Sequence, residues 1–285
     1  MFGFSELDRR RVVANSPRTK GRTTAPKHEG AAVRPHLPDP KKPQGPYRPF
    51  TCDPGWNEAW WWLGVPVLVA VFAVGSYQLN AEWYNRYVMP EGYGILEISH
   101  FFIPLFGLLI AGRLVLLPFV RARPVAFTVS LVSALSCLYI AGEEMSWGQH
   151  FFHWRTPEYW AAVNRQEETN LHNAYLILEG LPRSILQVCI AVGGLGVPLA
   201  AAFYPALRAC RISLFLPAAA LVPTSLGALG FKLLDHLQQG DYVATILRRP
   251  SETIETYLYF FILAYLIVYA RRIKALEVAE GALPK

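Results

Sequence analysis

Long apolar runs, rather than alternating positions, organise this chain. Stretches at 59–79, 97–119, 124–142, 182–204, 213–233 and 253–271 are nearly free of charge. A hydrocarbon layer about 30 Å thick takes roughly 20 apolar helical residues to cross, and each run is of that order. In lipid a helix satisfies its own backbone hydrogen bonds, which an open strand cannot do. The pattern therefore predicts an all-α polytopic transmembrane bundle of about six spans. Trp56 and Trp60–Trp62 precede the first run, as indoles at a headgroup boundary do. Pro66, Pro104, Pro198 and Pro223 lie inside runs and predict kinks, tolerated where neighbours re-satisfy the freed carbonyls. Gly193, Gly194 and Gly196, followed by Ala200–Ala202, give the fourth run a small-residue face suited to close helix packing.

Composition agrees. Of the 285 residues, 53% are hydrophobic and only 17% charged, which argues against an ordinary soluble domain. The net charge of +6 comes mainly from residues 1–55, which hold nine prolines and little aliphatic clustering. Such a stretch buries too little apolar surface to offset its ordering entropy, and is expected to be a disordered, basic, cytoplasmic tail. It has no apolar core of signal-peptide length, so the first span is the expected insertion signal. The domain plan is then a tail over 1–55, a membrane domain over 56–275 with a polar re-entrant or interfacial segment at 143–180, and a short tail over 276–285. With the N-terminus inside, 20 of the 27 basic residues fall on the inner side. The positive-inside rule then places both termini in the cytoplasm, with the bacterial inner membrane as the expected location. Cys52, Cys137, Cys189 and Cys210 match no metal or redox pair and read as small hydrophobes.

Topology changes the meaning of the polar residues. Glu97 and His100 open the second span, and the third ends in Glu143 and Glu144, followed by His150 and His153. Glu167, Glu168, Asn170, His172 and Asn173 come next. Asp235 and His236 close the fifth span, while Glu252 and Glu255 open the sixth. All fall at the outer membrane boundary, where ionisable groups face a protein interior or a wet cavity and mark a functional site. Glu168 and His172 share a face if helical, and Glu143 and His150 share one if the third helix continues outward. Carboxylate–imidazole sets of this kind suit zinc, iron or manganese. Adjacent carboxylates at a helix C-terminus oppose the macrodipole, so Glu143 and Glu144 call for a compensating partner. Thr156, Pro157 and Glu158 read as the start of a short surface helix over 157–165, with Thr156 as N-cap. Arg155 and Arg165 flank it.

The run GEEMSWGQHFFHW…NRQEETNLHN, about 30 residues in all, resembles a motif of uncharacterised bacterial multi-span membrane proteins. That likeness implies no reaction. A weaker one is to the CAAX-type intramembrane glutamyl proteases, whose paired glutamates correspond to Glu143 and Glu144. The family's arginine falls at Gly148, with Gln149 after it, and no FxxxH motif fits around His236, which has Lys232 four residues before it. The departure at Gly148 removes the cation that family needs. No GxSxG elbow, P-loop or GxGxxG fingerprint occurs, which argues against nucleic acid as a partner and against a nucleotide-driven pump.

Three functional readings follow. The first is a membrane-embedded hydrolase or transferase acting at the extracytoplasmic face on a lipid or lipid-linked substrate. Its divalent metal is held by Glu144, His150, Glu168 and His172. Glu143, Glu252 or Glu255 serves as general base, and Asn170 and Asn173 orient or stabilise developing charge. The second is a non-catalytic subunit or scaffold that binds other membrane subunits, a pigment or a haem, the last through His100, His150, His172 or His236. The third is an ion-coupled carrier, against which the scarcity of ionisable residues in the inner half of most spans counts.

Overall fold

The computed structural model describes residues 53–90, 92–164, 166–171, 174 and 176–281, excluding the side chains of 176–179. Residues 1–52 of the expected tail, and the expected site residues His172 and Asn173, lie outside this range. Among the described residues every regular element is helical.

Five helices are long and apolar enough to cross a membrane. They are α1 (Trp56–Leu79), α2 (Ile95–Leu116), α3 (Pro124–Glu144), α4 (Gly180–Phe203) and α6 (Pro250–Ala279). Between the last two lies α5 (Val222–Gln239), whose final two turns carry Lys232, Asp235 and His236 and dilute its apolar character.

Side-chain contacts fix the direction of each helix. Arg271 and Arg272, late in α6, pair with Glu58 and Asp53 at the start of α1. Arg123, just before α3, pairs with Glu280 just after α6. The start of α1, the end of α2, the start of α3 and the end of α6 therefore share one end of the bundle, here termed the basic end. At the opposite end His100 of α2 meets Glu144 of α3 and Glu255 of α6, and Arg183 of α4 pairs with Glu255. A chain that enters and leaves at one end makes an even number of passes. The sixth is α5: Ser213 and Leu216, just before it, accept from Arg272 at the basic end. Gln238, at its far end, donates to the Leu247 carbonyl, while Gln78 of α1 reaches the Ile246 carbonyl.

α6 is the hub. It is 61% buried over its most apolar stretch, against 17–28% for the other four long helices. The fourth span's small residues do what their spacing predicts, since a Cβ at Gly194 would collide with Ser225 of α5 and the Phe261 ring of α6. The prolines divide. Pro198 follows a wide π-type turn over Ile190–Gly196, an arrangement that spares its ring the carbonyl four residues back. Pro223 does not kink a helix but starts one, in the first turn of α5 where a missing N–H costs nothing. The stretch 211–221 before it forms only short 3₁₀ turns.

Candidate functional site

The acidic end of the bundle holds two polar clusters, one between the helices and one in the loops that follow α3.

The first is centred on His100, in the second turn of α2 and fully buried. Its Nε2 lies 3.1 Å from the Glu252 carbonyl and 2.9 Å from the Thr256 hydroxyl, both on α6. The Thr256 hydroxyl donates its one proton to that same carbonyl at 3.1 Å. Thr256 can therefore only accept from the ring, so Nε2 carries the hydrogen. Nδ1 then points at Glu144 Oε2 from 3.6 Å and at Glu255 Oε2 from 3.9 Å, and has no hydrogen-bond partner. Those separations are too long for hydrogen bonds. They sit just above the spacing of about 3.3 Å between donor atoms that share one ion at about 2.0–2.1 Å.

The surroundings hold these groups in place. Tyr259 donates to Glu144 Oε1 at 2.7 Å and packs edge-on against the His100 ring. Arg183 pairs with Glu255, and Arg249 with Glu252 at 2.9 Å. Two sets of three residues, His100–Glu144–Glu255 and Glu97–His100–Glu252, each bring one donor atom per residue within 4.8 Å of the others. Among the described residues, four carboxylates, two guanidinium groups and one imidazole meet here. Beside them lies a cavity of about 120 Å³ lined by Glu144, Arg183, Glu255 and Tyr259 on one side and by Ile140, Leu186 and Leu258 on another.

The second cluster ties the loops down. α3 stops at Glu144, and Ser146, Trp147 and Gly148 all take positive φ, so the helix does not run on to place Glu143 and His150 on one face. Glu143 accepts from the Trp147 indole and the Leu171 N–H, each at 2.7 Å. This answers the question of what compensates an anion at that helix end. Residues 166–171 are turns and bends, not the helix on which Glu168 and His172 were expected to share a face. The cause is local: the Asn164 side chain accepts from the N–H groups of Gln166 and Glu168, replacing the helical pattern. Thr156 is not an N-cap either. Pro157 holds that position before the short helix Glu158–Val163, while the Thr156 hydroxyl bonds Gln149 and the Glu167 carbonyl.

Glu168 is the knot of this network, accepting from Ser146 and Asn170 at 2.7 Å each and lying 2.9 Å from His150 Nε2. Serine, histidine and glutamate suggest a nucleophile relay, but the geometry denies it. The Ser146 hydroxyl and the Glu168 carboxylate meet the same imidazole nitrogen, and Nδ1, which an orienting acid would hold, has no hydrogen-bond partner. Ser146 is also fully buried. The set clamps the loops. Of the expected ligands, Glu144 thus joins His100 and Glu255, whereas His150 and Glu168 join each other. Of the expected catalytic groups, Glu252 and Glu255 reach the first cluster and buried Asn170 serves the second, while Glu143 is bonded into the second and also lines the cavity beside the first.

The clamp carries a pH dependence. The hydrogen bond to Glu168 holds the His150 imidazole above its ordinary 6.5, against the opposing effect of burial. Burial would raise the Glu168 carboxyl, but hydrogen bonds from His150, Ser146 and Asn170 outweigh it and hold the group below 4.5. A raised histidine stabilises fully below its unfolded value and less as pH climbs through its folded one; a lowered glutamate does the reverse. The clamp is therefore tightest between 4.5 and 6.5. Hydrogen exchange at the Thr169 and Leu171 amides, corrected for intrinsic rates, is expected to quicken as pH rises from about 6 to about 9. In His150→Gln that added increase should be missing, and its persistence would show that another group opens the loop.

His100, Tyr259, Arg183 and Arg249 were not among the expected metal or catalytic residues. A signal for His100 was present in its spacing of three from Glu97 at the head of an apolar run. Comparison with protein-family models, curated proteins and solved structures finds no match to this chain.

Proposed function

We propose that the chain is a membrane-embedded, divalent-metal-dependent hydrolase or transferase that acts on a lipid or lipid-linked substrate, with His100, Glu144 and Glu255 as the metal's protein ligands. One observation carries this reading: a buried imidazole held through Nε2 on a backbone carbonyl of α6 while its Nδ1 faces the carboxylates of Glu144 and Glu255 at 3.6 and 3.9 Å. Metal-ligating histidines are oriented in this way, the far nitrogen donating to a carbonyl or carboxylate.

A divalent ion in this position supplies a Lewis acid and a water acidic enough to lose its proton near neutral pH. Glu97, whose carboxylate lies within 4.8 Å of donor atoms of His100 and Glu252, would be the base for that proton. Arg183, on the wall of the cavity, opposes negative charge that builds on an ester, amide or phosphoester. Tyr259 keeps the Glu144 carboxylate in orientation. The cavity's 120 Å³ is well below the roughly 300–1,000 Å³ that encloses a drug-sized ligand. It suits a small polar head group whose chain stays among Ile140, Leu186 and Leu258, and is too small to enclose a haem.

Elemental analysis of the detergent-purified protein tests the reading. Zinc, iron or manganese near one equivalent is expected in the wild type. It should be lost in His100→Ala and in Glu255→Gln, and retained in His153→Ala, which alters an exposed histidine. A wild type without metal, or one whose metal survives both changes, would reject the proposal.

A further inference from the structure

A second cavity lies at the basic end of the bundle, between α2 and α6. It encloses about 480 Å³, some four times the volume beside His100. Its walls are Ile110, Leu114 and Leu117 from α2 and its continuation, and Ile267, Ala270 and Ile273 from α6. Its mouth carries Arg113, Arg271 and Lys274, with Glu277 the one acid in the lining.

These cations are not equivalent. Arg271 is committed to a two-pronged pair with Glu58, at 2.7 Å for each contact. Arg113 and Lys274 are exposed, and neither has an ion-pair or hydrogen-bond partner among the described residues. α2 and α6 run in the same direction here, both leaving the bundle at the basic end. Along each, the apolar residues come before the cations. Ile110 lies one turn deeper than Arg113, and Ile267 lies two turns deeper than Lys274. The cleft is thus graded, with unpaired positive charge at the membrane boundary and an apolar trough beneath it.

We infer that this cleft binds one acidic phospholipid of the surrounding bilayer, its phosphate between Arg113 and Lys274 and an acyl chain along Ile110, Ile267 and Ala270. A zwitterionic lipid brings its own cation to the mouth and gains less from two unpaired ones. A free phosphate ion finds the charge but leaves the trough unfilled. Basic pockets between spanning helices suit lipid head groups for this reason. The inference stands apart from the metal centre, which lies at the opposite end of the same helices.

Native mass spectrometry of the full chain, released from detergent with added lipid, provides the test. The probes are phosphatidylglycerol and phosphatidylcholine of identical chains, with inorganic phosphate as a third. One phosphatidylglycerol per chain is expected to be retained in preference to phosphatidylcholine, with no retention of phosphate. The Arg113→Ala/Lys274→Ala double variant should weaken that retention about tenfold or more. Ala270→Trp, which keeps every charge and fills the trough, should abolish it, while Arg155→Ala should leave it unchanged. A melting midpoint close to wild type certifies that each variant is folded. Equal retention of the two lipids overturns the inference. So does retention that survives Ala270→Trp, since that would mean diffuse surface charge rather than a cleft.

Discussion

Arg272→Met is expected to destabilise the protein by about 3–5 kcal/mol, the range for removing one partner of a buried ion pair. Arg272 is almost wholly buried and spans two sites at once. Its guanidinium holds Asp53 at 2.8 and 2.9 Å, and it donates to the Ser213 and Leu216 carbonyls at 2.9 and 2.5 Å. It thereby pins the segment before α1 and the irregular stretch before α5 to the central helix. Removing it strands a half-buried carboxylate and two carbonyls. Burial already lifts the Asp53 carboxyl above its usual range, despite the pull of the guanidinium. Desolvation therefore outweighs attraction at this pair, and the pair contributes less to stability than its rupture would suggest. Asp53→Leu placed on top of Arg272→Met should accordingly recover much of the loss. Recovery should stop short of wild type, because the two carbonyls stay unmatched. Thermal unfolding of the single and double variants in detergent measures this. A double variant no better than Arg272→Met would locate the whole effect at the carbonyls.

That latch also marks the boundary of what the chain discloses. The spans themselves were legible, because a run of about 20 apolar residues has few alternatives in lipid and its ends are marked by Trp and Arg. The partners of Arg271, Arg272 and Arg123 show which helix ends lie together. The pairing of Arg272 with Asp53, 219 residues away, was not legible, since nothing local distinguishes it from a solvated arginine. The site shows the same division. Proximity along the chain favoured His150 and Glu168, but short-range geometry there is decided by Asn164 and by the left-handed turn at Ser146 and Trp147. Both override helical spacing. The set that does converge, His100, Glu144 and Glu255, comes from three different helices. Its assembly depends on which faces of α2, α3 and α6 meet, and nearly uniform apolar helices do not announce a face.

Glu255→Gln is expected to change stability with opposite sign depending on whether metal is present. In the chelated protein, the glutamine oxygen can keep the contact with Arg183 while its amide nitrogen replaces the oxygen that faces His100 Nδ1 from 3.9 Å. With Nδ1 unprotonated, as a metal ligand must be, a donor then replaces an acceptor opposite its lone pair, and the metal-free variant is expected to melt at or above the wild type. With metal present the balance reverses. A ligand that binds only the folded state stabilises it by about 4 kcal/mol at a thousand times its dissociation constant. The wild type should gain that increment as zinc, iron or manganese is added back, and the variant, lacking one carboxylate ligand, should gain little of it. Melting midpoints of both proteins, each with chelator and with added metal, give four numbers and one interaction term. A variant equally destabilised in both conditions would mean that the Glu255 charge serves only its ion pair with Arg183. A wild type indifferent to metal would show that His100 Nδ1 faces its two carboxylates for some other purpose.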